Sequence, residues 1–283
     1  MLEVTGHDTN HRHSNEGKDN PLNKPENRQP ETSQWPLMPA GIKPYYIDDS
    51  VCIICGDCRE IVPGLGRFDL LLTDPPYEVH AGRGGGCFGN RDHLVNTGGF
   101  TDEGVNFAFL DGIPNWFCFC SRLQLPALLA VAQTAPRWNL LTWCKPNPVP
   151  TCNNKYLPDV EFIVHGFRSG RLFGDMSAKS CFMLHPCGNK ETPHPNEKPL
   201  ALVRKLVTLG TQPRETILDP FAGSGTTAVA AKSLGRKCVC IEREERYCEI
   251  AAKRCAQDYL QLTDSAPRDT ADDNKDQLEL LKV

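Results

Sequence analysis

The chain has 283 residues, with 31 Lys+Arg against 35 Asp+Glu, a formal charge of −4 and 40% hydrophobic residues. That is the mix of a globular protein large enough to bury a core without disulfide or metal staples, and no run approaches the ~20 apolar residues of a membrane-spanning helix. The first twenty residues lack the apolar stretch of a secretory signal, so the 14 cysteines are expected as reduced thiols in a cytoplasmic protein, not as a disulfide framework.

Residues 1–40 are polar and rich in Asn, Pro, Glu and His. They bury too little apolar surface to offset ordering, and are expected to form a disordered arm. Residues 263–283 read as an acidic flexible tail, with a short helical pattern at 278–281. Between them, 41–262 carries 24 basic and 23 acidic residues, so the acidity sits in the tails. Within this domain residues 165–205 hold seven basic and three acidic residues, a local positive region and a weak nucleic-acid signal.

In chain order, the apolar runs at 51–55 and 68–73 predict strands, ending at Gly56-Asp57 and at Asp74-Pro75-Pro76. Residues 124–133 predict a helix, and 140–143 and 160–164 two strands. Residues 200–209 form an amphipathic pattern opening just after Pro199. A strand at 216–218 ends at Asp219; a helix follows at 226–234, then a strand at 238–241 ending at Glu242, and a last helix at 247–259. Short buried-type strands alternating with helices indicate an α/β fold with a mostly parallel sheet and helices on both faces.

Two turns carry chemistry. In the segment 217–227 (ILDPFAGSGTT) a strand, a tight turn and a helix follow one another. Gly223 and Gly225 permit positive φ and close approach of a ligand, and the helix points free N–H groups at it. No Lys follows the glycines, as a phosphate-binding P-loop requires, and Ala228 breaks the G-x-G-x-x-G dinucleotide pattern. Asp219 at the strand end suits a ligand with a cationic amine better than a diphosphate, and Glu242 suits ribose hydroxyls. S-adenosylmethionine has such an amine. The second turn is Asp74-Pro75-Pro76-Tyr77. Two prolines end the strand and fix φ. A carboxylate, a held carbonyl and a stacking ring on one rigid turn make a site for an amino group on a planar ring.

Together these motifs resemble the N6-adenine/N4-cytosine family of DNA amino-methyltransferases. The order, DPPY at 74–77 before DPFAGSGTT at 219–227, resembles its circularly permuted beta-type arrangement. Gly56-Asp57-Cys58, the W-x-K-P-N segment at 143–147, Glu161-Phe162 and His194-Pro195-Asn196-Glu197-Lys198-Pro199 resemble further family segments, with Asn196 where Thr is usual. The resemblance spans about 52–256. It implies a Rossmann-like S-adenosylmethionine-dependent methyltransferase fold of seven strands. It also implies cofactor contacts from Asp219, Phe221, Ala222, Gly223, Ser224, Gly225 and Thr226, from Glu242 at the ribose, and from Asp57 and Cys58 by the adenine. Lys198 and Pro199 would sit by the cofactor carboxylate. Asp74, Pro75, Pro76 and Tyr77 would be catalytic, Asp74 and the Pro75 carbonyl orienting the amine lone pair of a base flipped out of double-stranded DNA. The leading Asp of DPPY favours adenine N6 over cytosine N4; a non-catalytic DNA-binding role is the alternative of another class.

The target-recognition region implied by the resemblance is short, about 165–193. With Lys145 it offers Arg168, Arg171, Lys179 and Lys190 as DNA contacts, and the glycine-rich insert at 78–106 is expected to act as a lid or DNA loop. A homodimer and a restriction-enzyme partner stay open. Cys52, Cys55 and Cys58 make a C-x-x-C-x-x-C run, but a strand over 51–55 puts Cys52 and Cys55 on opposite faces and no second C-x-x-C completes a zinc site. No metal is expected.

Overall fold

The computed structural model describes residue 35 and residues 41–77, 105–148, 156–187 and 197–257. The rest of the predicted arm, the tail with its 278–281 pattern, nearly all of the 78–106 insert, Lys190 and residues 194–196 lie outside the described residues. The one described residue of the arm, Trp35, is buried against the apolar layer that holds Ile54 and Val239.

Among the described residues nine strands form one sheet: β1 (Tyr46–Ile47), β2 (Val51–Cys55), β3 (Leu70–Thr73), β4 (Asn115–Cys120), β5 (Arg137–Cys144), β6 (Val160–Phe167), β7 (Phe182–Leu184), β8 (Thr216–Asp219) and β9 (Lys237–Glu242). Their order is β1-β2-β9-β8-β3-β4-β6-β5-β7. From β2 through β9, β8 and β3 to β4 every neighbour is parallel. β6 runs against both β4 and β5. The seven strands expected from the resemblance are the longer ones of this sheet, and two short edge strands, β1 and β7, flank them. β4 was not among the predicted strands. Its six residues NWFCFC are all buried, so the polar-apolar alternation that marks a half-exposed strand is missing.

Among the described residues five α-helices pack on the two faces: α1 (Cys58–Ile61), α2 (Leu125–Ala132), α3 (Leu200–Gly210), α4 (Thr226–Ser233) and α5 (Glu245–Ala256). Alternate strand residues sort to opposite faces, as the twofold side-chain period requires. Val51, Ile53, Leu70, Leu72, Phe117 and Phe119 meet Leu202, Leu206, Val229 and Cys248 of α3, α4 and α5. Cys52, Ile54, Leu71, Trp116 and Cys118 meet Ile61 of α1 and Leu128 of α2. The apolar stripe of α3 (Leu202, Val203, Leu206, Val207, Leu209) is fully buried, which accounts for its amphipathic sequence.

At the foot of β4, buried Asn115 donates from Nδ2 to the carbonyls of Asp69 (3.1 Å) and Gly210 (2.9 Å). Its Oδ1 pairs with His165 Nε2 at 3.2 Å. The His165 ring lies between Phe117 and Phe167, with centroids 3.8 and 4.3 Å away. Burial pulls its pKa down to about 3, so this histidine adds no charge to the basic stretch it opens. Parallel strands β2, β9, β8 and β3 end along one edge of the sheet. Because β6 is reversed, its first residues reach that same edge beside the end of β4.

Candidate active site

Asp74-Pro75-Pro76-Tyr77 leaves the end of β3 at this edge. The Pro76 carbonyl accepts a hydrogen bond from Gln124 Nε2 at 2.9 Å, and Gln124 Oε1 accepts from the Ser121 N–H at 3.1 Å. Buried Gln124, directly ahead of α2, therefore clamps the turn from behind. It belongs to no motif, and nothing local in the sequence marks it.

The Asp74 carboxylate is divided in its surroundings. Oδ2 pairs with the Lys198 ammonium. Oδ1 is buried and has no hydrogen-bond partner among the described residues. Lys198 Nζ lies 3.5 Å from Glu161 Oε2, and the Tyr77 hydroxyl donates to that same oxygen at 3.0 Å. Lys145 holds the other Glu161 oxygen at 2.5 Å and sits over the Trp143 ring. The Lys198 ammonium is also 5.1 Å from the ring centres of Tyr77 and Phe119, within cation–π range.

Charge and burial compete in this cluster. Burial raises the Asp74 pKa; Lys198 opposes it, Glu161 adds repulsion, and the net shift is upward. For Glu161 burial also works against the charge, but Lys198 and Lys145 outweigh it and hold the pKa below the usual carboxylate range. Burial works against the Lys198 charge too, and Asp74 and Glu161 outweigh it, so Lys198 stays an ammonium. Burial followed by the two carboxylates pushes the Tyr77 phenol up, which keeps it a neutral donor. Lys198, expected beside a cofactor carboxylate, is thus found on Asp74; Pro199 next to it is the N-cap residue of α3.

The glycine turn lies at the next strand ends. Asp219 closes β8, is buried, and accepts from the Phe221 N–H at 3.1 Å. Burial pushes its pKa up to about 7. Phe221 meets Phe109 edge-on at 6.1 Å, and the Ala222 N–H bonds back to Ile241 at 3.0 Å. Glu242, closing β9, accepts from the N–H groups of Gly223 and Glu244, both at 2.8 Å. These two bonds aim its carboxylate along the turn. Asp57, after β2, caps α1 through the Arg59 N–H at 2.9 Å. The Arg59 side chain holds the Asp57 pKa at about 2. Cys58, the first residue of α1, is half-buried.

The turn's small residues divide into two kinds. Gly223 and Gly225 both have positive φ, 51° and 79°, as expected. A Cβ on Gly225, however, would lie 2.6 Å from the Cβ of Ala251 on α5, so the close approach of a neighbouring helix already requires glycine here. The Ser224 and Thr226 hydroxyls face inward, each 3.2 Å from Arg254 Nη1, and Arg254 is paired with Glu197 at 2.9 Å, both side chains buried. Ser224 and Thr226, expected among the cofactor contacts, are placed with the scaffold of the turn. This pair is not legible in the sequence: 57 positions separate its members, Arg254 belongs to no motif, and Glu197, though inside the 194–199 segment, is given no role there.

Asp57, Glu242 and Asp219 make an acidic rim across the ends of β2, β9 and β8. Such a rim repels a pyrophosphate and suits a ligand that carries a cationic amine and hydroxyl donors.

The expected DNA contacts among the described residues, Lys145, Arg168, Arg171 and Lys179, are not all brought to one place. Lys145 is at the site edge, already engaged by Glu161. Arg168 follows the far end of β6. Arg171 bonds Glu215 at 2.8 Å and the Asp69 carbonyl at 3.0 Å, both at the feet of the parallel strands. Lys179 lines a small cavity with Asn139 and His165 on that far half of the sheet. The reversal of β6 separates them: the residues after it emerge opposite Asp74.

A family model described as DNA methylase, for N6/N4 methyltransferases, matches residues 179–253. Type II methyltransferase M2.MboI of Moraxella bovis is 35% identical over 250 residues, covering 75% of this chain and 91% of that protein. The chain belongs to the N6-adenine/N4-cytosine DNA methylase family. Type II methyltransferase M.HinfI of Haemophilus influenzae is 27% identical to this methylase over 248 residues, covering 71% of this chain and 67% of its own. Among solved structures, the PvuII DNA methyltransferase (cytosine-N4-specific) covers 78% of the methylase and 91% of its own chain, with a TM-score of 0.57 and 15% identity. M1.HpyAVI gives 0.50 and 24%, covering 73% and 98%. These two likenesses support the fold. Among the described residues no helix is long and apolar enough to cross a membrane.

Proposed function

We propose that the methylase transfers a methyl group from S-adenosylmethionine to the exocyclic N6 amine of adenine in double-stranded DNA. The observation that carries this reading is the divided Asp74 carboxylate: one oxygen held by Lys198, the other buried and unpartnered among the described residues. A buried acceptor without a donor is costly, and an amine entering beside Tyr77 satisfies it.

The amine of adenine is a poor nucleophile because its lone pair is delocalised into the ring. A hydrogen bond to Asp74 Oδ1 favours a pyramidal nitrogen whose lone pair is free to attack. Tyr77, its hydroxyl fixed by Glu161, presents a ring for stacking, which recovers part of the few kcal/mol that flipping a base costs. When bound, the cofactor would supply the methyl group from its sulfonium: the S–CH3 bond breaks as the N–CH3 bond forms, the sulfur leaves as a neutral thioether, and the methylated amine releases one proton to solvent. On the protein side the contribution is alignment and a fixed electrostatic surround. Asp219 would hold the amino-acid end of the cofactor and Glu242 the ribose, with Asp57 and Cys58 beside the adenine. Adenine is preferred over cytosine because the turn opens with Asp.

Nucleoside mass spectrometry on unmethylated duplex DNA, after incubation with protein and cofactor, tests this. N6-methyladenine is the expected product. N4-methylcytosine would overturn the base assignment, and no methylated base in DNA of varied sequence would overturn the reading.

The Asp219 environment makes a second expectation. With its pKa raised to about 7, the carboxyl is protonated below that pH and must lose its proton to hold a cation. Cofactor affinity is therefore expected to fall as pH drops from 8 to 6, approaching tenfold per unit below the pKa. Titration calorimetry across that range checks it, and Asp219→Asn should flatten the slope while weakening binding at pH 8.

A further inference from the structure

We infer that Lys198, held in place by Glu161, is a positioning residue for methyl transfer: it occupies one oxygen of Asp74 and so presents the other as a single, charged acceptor to the target amine. This rests on the function proposed above. It assigns Lys198 to the reacting end of the site, away from the cofactor carboxylate.

The geometry is specific. The Lys198 ammonium touches Asp74 Oδ2, lies 3.5 Å from Glu161 Oε2, and is enclosed by the rings of Tyr77 and Phe119. Its side chain is 7% exposed, so its charge is little screened by water. Glu161 ties three parts together: Lys198, the Tyr77 hydroxyl and Lys145. One carboxylate thereby sets the ammonium that orients Asp74 and the ring on which the base would stack. The groups facing Asp74 are Lys198 before α3, Glu161 on β6, Tyr77 on its own turn, Cys118 and Cys120 on β4, and Asp219 at the end of β8. Among these, Lys198 is the cation. Without it, burial and two neighbouring carboxylates all act to protonate Asp74, and a protonated Asp74 no longer presents a charged acceptor to the amine.

The test is single-turnover methyl transfer to duplex DNA from pH 5.5 to 9, with cofactor affinity measured in parallel on the same full-length proteins. Lys198→Met is expected to slow transfer about 100-fold at pH 7, with the lost rate partly returning as pH rises. Its acidic limb should move upward relative to the parent, and cofactor affinity should stay close to the parent's. Lys198→Arg should restore part of the rate and the parental limb. Glu161→Gln, which keeps shape and removes charge, should slow transfer less and serves as the test if Lys198→Met does not fold. A Lys198→Met enzyme with the parental rate and pH profile would overturn the inference. So would a defect abolished by excess cofactor, since that places Lys198 at the cofactor. If the Glu161→Gln rate matches the parent, the relay through Glu161 is wrong. A parent protein that methylates no DNA refutes the underlying reading and takes this inference with it.

Discussion

Asp74→Ala is expected to reduce single-turnover methyl transfer by about 1000-fold or more while the protein still binds S-adenosylmethionine. The substitution removes the one acceptor in the cluster that lacks a donor among the described residues, and with it the alignment of the amine lone pair. A thousandfold loss corresponds to about 4 kcal/mol of transition-state stabilisation, reasonable for a charged acceptor in a site shielded by Tyr77 and Phe119. Cofactor affinity should change little, because Asp219 and Glu242 end different strands and are held by their own backbone bonds. The variant should also fold: Lys198 keeps Glu161 as a partner. Calorimetry for the cofactor and rapid-quench methylation on the same preparation separate the two effects. Parental methylation by Asp74→Ala would remove this carboxylate from the mechanism.

Gly225→Ala is expected to destabilise the fold by about 2–4 kcal/mol, from a left-handed backbone position and from overpacking together. The added methyl would meet the Ala251 Cβ at 2.6 Å and its Cα at 3.1 Å, and neither is the end of a flexible side chain. The α5 backbone or the turn must shift, and the turn carries Phe221, Ala222 and Gly223 between two buried strand ends. Cofactor affinity should fall with stability. Gly235→Ala is the control. Its φ is similarly positive, +68°, but nothing lies within 4 Å of the added atom, so it should cost only the backbone strain, about 1–2 kcal/mol. Denaturant melts of the two variants check the difference. Equal losses would mean that the approach of α5 to the turn is not close.

Much of the site was legible in the sequence because its chemistry is local. Asp74 with its prolines and Tyr77, and Asp219 with its glycines, are each contiguous, and each follows an apolar strand whose end the turn residues mark. The order of the two motifs, the α/β class and the acidic residues at three strand ends needed no coordinates either. What remained hidden depends on residues far apart along the chain. Asp74 and Lys198 are separated by 124 positions, and Tyr77 and Glu161 by 84. β4 was hidden for a related reason: burial on both sides erases the period that would announce it.

By itself, then, the sequence determined which residues could do the chemistry and the local turns that present them, since backbone conformation at Pro and Gly is set within a few residues. Only the tertiary structure decided what each functional group faces. The parallel run β2-β9-β8-β3 and the reversed β6 carry Lys198 and Glu161 to Asp74, turn the Ser224 and Thr226 hydroxyls onto Arg254, and put Arg168 and Arg171 at the far end of the sheet. Those outcomes follow from strand direction and burial, which no single segment contains.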